Sequence, residues 1–416
     1  MHDFAVTSDP ATSLATLLLM ISGALVLLMI LGSAFFYGGL VRATSVVSML
    51  IMSFGAIALV SILWILFGYG MVYGTPLIPH WLGNPFSELG LQPIVDGLST
   101  SSSSMYQLAF AGFQAMFAII AVALISGGIA DRAKFSAWMV FVGVWVTLVY
   151  FPVAYWVFND SDGWAASVLK VNDFAGGAAV HINAGAAALA LALVLGKRVG
   201  FAKGFAKPHN VPLTMFGAAL LWFGWFGFNV GSEASVDGIA ALVWVNTLAA
   251  PAAAILTWLI VQTIREDKPT ATGAASGAIA GLVAITPAAN ILTPGWALLL
   301  GGIAGAVCAM AVELKFRFGF DDSLDVVGIH LVGGLIGMLY IGLFGSGVGM
   351  VDAGSFYQLG VQAIAAVAVL VYSFGMTWLI GTAIHKSLGF RVDDDTKLAG
   401  VDLLAHGESG YSITSD

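Results

Sequence analysis

The sequence is short of charge. Only 9% of its 416 residues are Asp, Glu, Lys or Arg, against about 25% in a soluble domain, while 59% are hydrophobic. So few charges cannot cover a water-facing surface, and lipid is therefore the solvent for most of the chain. Cysteine is scarcer still. The single Cys308 excludes an intramolecular disulfide and a multi-cysteine metal site, and small apolar filler inside a helix is the role that suits it. With 15 basic residues and a net charge of −8, there is no basic face of the kind phosphate binding needs, which excludes a nucleic-acid partner. The opening MHDFAVTSDPATS has no Lys or Arg ahead of the first apolar run. It lacks the positive start of a secretory signal peptide, so residue 1 is taken as part of the mature chain and the run as a retained span. A strand-to-helix phosphate loop and a nucleophile–base set are also missing, which argues against an enzyme.

What the chain has in quantity is apolar length. Windows of about 20 residues pick out eleven spans, at 13–37, 46–73, 107–130, 135–158, 174–196, 210–231, 237–263, 272–290, 295–313, 325–346 and 355–384. The eighth is rich in Ala and Gly and is interrupted by Pro287. Eleven crossings put the termini on opposite sides. With the N-terminus outside, the cytoplasmic segments hold Arg42, Arg132, Lys134, Lys197, Arg198, Lys203, Lys207, Arg265, Lys268, Lys315, Arg317, Lys386, Arg391 and Lys397, which are 14 of the 15 basic residues and leave only Lys170 outside. The positive-inside rule predicts this bias. The expectation is an all-α, multi-pass cell-membrane protein, N-terminus out and C-terminus in. A membrane domain would cover 1–385 and a cytoplasmic tail 386–416. The polar segment 74–106, with Ser101–Ser104, reads as a solvated loop.

The apolar spans contain a repeat. Residues 173–185 read DFAGGAAVHINAG and residues 322–334 read DSLDVVGIHLVGG. Asp173 stands eight residues before His181, and Asp322 eight before His330. These segments close the first and second sets of five helices. Five is odd, so the halves must be inverted, followed by a long eleventh helix. Read as continuous helix, eight residues rise about 12 Å, which brings both histidines near the midplane of a bilayer core about 30 Å thick. Inverted five-helix repeats with a central site are a transporter architecture. A lone deep histidine is more often an interhelical hydrogen-bonder, but two at matching positions point to a pathway. Desolvation disfavours the charged form, so each imidazole is expected to be neutral. Two imidazoles sharing one proton offer a donor and an acceptor to a small polar solute and no fixed charge to trap a metal cation. A metal site would need further ligands, and none is in evident reach.

The chain resembles the ammonium transporter (Amt/Mep/Rh) family over nearly its whole length. The two histidine segments carry the likeness, with FFYGGLVR at 35–42, FQAMF at 113–117, FGWFGFNVGS at 223–232 and GVDLLAHGESGY at 400–411. The resemblance implies a homotrimer with one pore per subunit, ammonium or ammonia as solute and no cofactor. It places a phenylalanine gate on Phe117 and Phe228, lines the pore with His181 and His330, and puts Ser232 and Phe117 where external ammonium is recruited. Aromatic faces hold such a cation by about 0.5–2 kcal/mol each. Asp173 matches a carboxylate that supports the outer site from behind; an N-cap role is compatible with that. The family commonly has a Trp at the end of the fourth helix, where this chain has Phe158. Trp156 lies about 200° around the helix from it, and Trp164 follows in the loop. The tail 391–411 resembles the family's regulatory tail, which implies contacts with neighbouring subunits and docking of a PII-type protein. Two other readings stay open: an ammonium sensor that conducts little, and an Rh-like ammonia or carbon dioxide channel. Tyr37, Gln114, Asn183 and Trp222 suit either pore or packing.

Overall fold

Asp9 starts the helical chain. Its carboxylate accepts from the N–H groups of Ala11 and Thr12, and Pro10 takes the first helical position, where its missing N–H costs nothing. The computed structural model describes residues 9–198, 200–201, 208–393 and 400–411. His2, the chain start, and Lys203, Lys207 and Lys397 of the basic set lie outside the described residues, as do parts of the tail. Among the described residues, ten helices are long and apolar enough to cross a membrane: α1 (Pro10–Leu40), α2 (Val46–Tyr73), α3 (Ser102–Gly128), α4 (Phe135–Phe158), α5 (Gly177–Leu195), α6 (Val211–Ser232), α7 (Gly238–Glu266), α9 (Pro294–Phe318), α10 (Val327–Phe344) and α11 (Tyr357–Ser387). The shorter apolar α8 (Ala271–Ile285) stands where the eighth span is expected. It stops two residues before Pro287, whose ring disfavours helix in the residue ahead of it.

The two halves meet backbone to backbone. A Cβ on Gly217 of α6 would lie 2.2 Å from the Phe36 nitrogen of α1, and one on Gly224 would lie 2.5 Å from the Leu25 carbonyl oxygen. Only glycine permits that approach. Long-range hydrogen bonds separate the ends of the bundle. At one end the Phe174 N–H, ahead of α5, donates to the carbonyl of Pro287, after α8, at 3.2 Å. At the other end the Arg132 guanidinium, after α3, donates to Ser323 Oγ, ahead of α10, at 2.6 Å. Asp173 and Asp322 therefore stand at opposite ends, as inverted halves require.

The second end is tied by buried ions. Arg198 and Arg132 both reach Asp321, at 2.9 and 3.5 Å, and Arg198 also reaches Asp131 at 3.1 Å. Burial raises the Asp321 carboxyl, but the Arg198 hydrogen bond and the two guanidinium charges outweigh it and hold the group below the usual range.

One expectation about a connecting segment changes. Segment 74–106 is folded rather than merely solvated. Strand β1 (Pro76–Ile78) pairs antiparallel with β2 (Leu82–Gly83). Ser101 caps α3 by accepting from the Ser103 N–H, so the serine run opens the helix, in keeping with the serine preference at caps. The tail is also packed on the bundle. Its short helix α12 (Val401–His406) carries Asp402, only 2% exposed, whose carboxylate accepts from the N–H groups of Val47 and Ser48 at 3.0 and 2.8 Å. Ser45, at the N-cap position of α2, makes no side-chain cap, so a residue more than 350 positions away serves instead. Tyr411 adds a hydroxyl contact to His209 at 2.9 Å. Replacing Asp402 by Ala is expected to lower stability by about 1 kcal/mol, seen as a reduced melting temperature in detergent, and to expose residues 400–411 to protease.

Candidate functional site: a buried histidine pair behind a phenylalanine stack

Each histidine is placed by a loop that ends in a wide helical turn. The chain from Asp173 to Gly176 is not helical, and α5 begins at Gly177, so the 12 Å rise expected from continuous helix does not apply. Asp173 folds back instead. Its carboxylate accepts from four successive N–H groups, those of Gly176, Gly177, Ala178 and Ala179, which are the donors left orphaned at a helix start. Gly176 permits this by taking φ +106°. The His181 N–H then bonds the Gly176 carbonyl, five residues back, at 3.1 Å; this wide turn re-aims a side chain relative to an α-helix. The second half repeats the device. Asp322 accepts from the Val327 N–H at 2.7 Å, Asp325 takes φ +65° five residues before His330, and Val327–Leu331 forms the wide turn.

The two turns bring the imidazoles together. The Nδ1 atoms of His181 and His330 are 3.3 Å apart, with ring centroids 5.3 Å apart and planes tilted by 26°. Both side chains are buried, at 0% and 4% exposure. An Nδ1···Nδ1 hydrogen bond requires one ring to donate and the other to accept. His181 Nε2 has no partner in the protein, so its hydrogen-bonding capacity is unspent.

Aromatic rings continue the line. Trp225 stacks on His181 at 5.4 Å, and its indole N–H donates to Thr286 Oγ1 at 2.9 Å. Phe228 lies 6.2 Å from His181 and stacks on Phe117 at 4.1 Å with a 15° tilt. Phe158 meets Phe117 edge-on at 6.0 Å. Ser232 ends α6 and donates its hydroxyl proton to the Phe228 carbonyl at 2.9 Å, which leaves its oxygen lone pairs free to accept. Next to it, burial and the neighbouring Asp237 carboxylate push the Glu233 carboxyl up to about 7.

The tryptophans near Phe158 lie elsewhere. Trp156 packs on Trp81, Trp164 and Tyr372 at 5.6, 5.9 and 4.8 Å, and its N–H donates to the Trp81 carbonyl. Phe158 is therefore the residue at that turn that touches the Phe117 ring. Tyr37 and Trp222 donate to the carbonyls of Leu124 and Thr247 and serve helix packing. Asn183 donates to the Ala179 carbonyl, and its Oδ1 is buried without a partner. Sequence reasoning missed Trp225, one among 12 tryptophans; its spacing of three from Phe228, on one helix face, was the available signal.

Comparison with known proteins shows the family to which the chain is similar. The family model for the Ammonium Transporter Family matches residues 17–411. The ammonium transporter of Mycobacterium bovis is 47% identical over 95% of this chain and 89% of its own length. Saccharomyces cerevisiae Mep2 superposes with a TM-score of 0.86 at 32% identity, over 94% of this chain and 90% of that one. A structure described as a sensor Amt protein gives a TM-score of 0.87 at 27% identity, over 95% and 99%.

The Asp173 cap has a pH signature. Burial lifts its carboxyl from 3.8 to about 6 against the lowering pull of the four N–H bonds. The folded chain therefore holds this proton more tightly than the unfolded one, and stability falls as pH rises from about 4 to 6. Melting temperatures in detergent should show this fall. Asp173→Asn should flatten the part due to this group, while lowering stability at every pH through the weakened cap.

Proposed function

Because the chain belongs to the ammonium transporter family, we propose that it carries external ammonium across the cell membrane as ammonia, along an apolar path bordered by His181 and His330. It is a multi-pass membrane protein whose relatives are transporters rather than enzymes. The observation that carries the reading is the contact of two buried imidazoles at 3.3 Å.

Ammonium collects at the mouth, where Ser232 offers lone pairs and Phe158 and Phe117 offer ring faces. Asp173 supports this end by capping α5 rather than by touching the cation. The stacked rings of Phe117 and Phe228 are both fully buried, so they must swing aside for a solute to pass. Beyond them, a dehydrated cation is costly in an apolar passage. Potassium has no proton to shed and is refused. Ammonium sheds one to water, and that proton either stays outside or crosses by a separate route while ammonia takes the apolar path. The imidazole pair then hydrogen-bonds ammonia both as donor and as acceptor.

The mouth end, with Phe158, Ser232 and Asp173, faces outwards and the end with Arg132, Arg198 and the tail faces the cytoplasm, as the distribution of basic residues supports. The working form is a homotrimer. Residues 386–416 form a regulatory segment, to which a PII-type protein docks. The strong likeness to transporters favours flux over pure sensing.

Purified protein in liposomes tests this. His181→Ala with His330→Ala is expected to lower methylammonium uptake by about tenfold or more, equivalent to about 1.4 kcal/mol of barrier, or to admit potassium. Undiminished uptake that still excludes potassium would refute the role given to the pair.

A further inference from the structure

A line of four polar groups runs through the interior and ends beside the histidine pair. Trp225 and Asn229 are four apart on α6 and so share a face. Thr247 lies on α7, and Thr286 immediately follows α8. The Trp225 indole N–H donates to Thr286 Oγ1 at 2.9 Å. Thr286 Oγ1 lies 3.4 Å from Asn229 Oδ1, and Asn229 Nδ2 donates to Thr247 Oγ1 at 3.0 Å. All four residues are fully buried.

The hydroxyl protons give the line a direction. Thr247 spends its proton on the Val243 carbonyl at 2.7 Å. It must therefore accept from Asn229, which turns the amide nitrogen towards Thr247 and the amide oxygen towards Thr286. Thr286 then has two acceptors beside it, Asn229 Oδ1 and the Leu282 carbonyl at 2.7 Å. Its one proton goes to them, and its lone pairs are left for the indole. Each hydrogen bond fixes the sense of the next, and the line ends on the ring that stacks on His181 at 5.4 Å.

Thr286 is also held in the frame that carries His181. The carbonyl of the next residue, Pro287, accepts from the Phe174 N–H at 3.2 Å and from Asn172 Nδ2 at 2.8 Å. A Cβ on Gly177, the first residue of α5, would lie 2.5 Å from the Pro287 ring. The segment that holds the indole is thus packed on the turn that leads to the imidazole. Burial of apolar surface does not call for these side chains, because a hydroxyl or an amide costs more to bury than a methyl group. We infer that Thr286, Asn229 and Thr247 are positioning residues for transport. They hold the Trp225 indole against His181, so that this imidazole keeps one orientation towards His330 and water is excluded from its covered face. The inference deepens the transport reading and rests on it for its consequence, while the tether itself is read from geometry.

Two measurements test it. Thr286→Val removes the acceptor and nearly keeps the shape, whereas Thr286→Ser keeps the acceptor. In proteoliposomes, Thr286→Val should lower the maximal rate of methylammonium uptake about fivefold, the worth of one hydrogen bond. KM should stay unchanged because the mouth is untouched, and Thr286→Ser should keep most of the wild-type rate. A wild-type rate in Thr286→Val, a change in KM alone, or equal losses in the two variants would overturn the inference. If Thr286→Val fails to fold, Thr247→Val, two links from the indole, should still lower the maximal rate, and an unchanged rate there would overturn it. Nitrogen-15 spectra of the protein in bilayers read the tether without transport. Thr286→Val should shift the Trp225 indole nitrogen and broaden or split the His181 ring signals, and Thr286→Ser should leave both in place. Unmoved His181 signals in Thr286→Val would overturn the positioning role. If the wild type moved no methylammonium, the transport reading would fall while these spectra still decided the tether.

Discussion

The arrangement depends on one contact: two imidazoles held Nδ1 to Nδ1 at 3.3 Å in the interior of a helix bundle. In water such a pair is worth little. In a low dielectric the bond is stronger and an unmet hydrogen-bonding atom is costly, so the pair is both firmly paired and in need of a further partner at His181 Nε2. That combination suits a passage for a small molecule able to donate and to accept.

Holding the pair is the work of the backbone. Each histidine follows a carboxylate by eight residues and a left-handed residue by five, with the chain between them folded into a wide helical turn. Asp173 neutralises the donors of one helix start, and Asp322 does part of the same for the other. The glycine contacts of α1 with α6 let the halves approach closely enough for residues 149 positions apart to share a proton. Trp225, pinned by Thr286, then restrains the His181 ring from one face.

Much of this is legible in the sequence because membrane burial leaves few options. Apolar length marks the spans, basic residues mark the ends, and the paired Asp…His segments mark the site. Helix angle separates Phe158 from Trp156, and in the structure Phe158 meets the Phe117 ring while Trp156 packs on Trp81, Trp164 and Tyr372. What sequence reasoning missed depends on contacts across large separations. The cap that Asp402 supplies to α2 joins residues over 350 positions apart, and the Arg132–Asp321–Arg198 cluster joins three loops; no local pattern encodes either. The non-helical stretch 173–176 was hidden for another reason. An apolar, glycine-containing run reads as span throughout, although Gly176 at φ +106° breaks it. The pairing of that glycine with Asp325, in the same backbone region, shows that the repeat is conformational as well as chemical.

The most direct check concerns the proton between the rings. Nitrogen-15 magnetic resonance of the protein in bilayers at pH 7, with His181 and His330 assigned by single substitution, reports the state of each ring nitrogen. The account predicts one protonated and one bare Nδ1, coupled across a hydrogen bond, with both rings neutral. Two protonated Nδ1 atoms, or an imidazolium at either position, would contradict it.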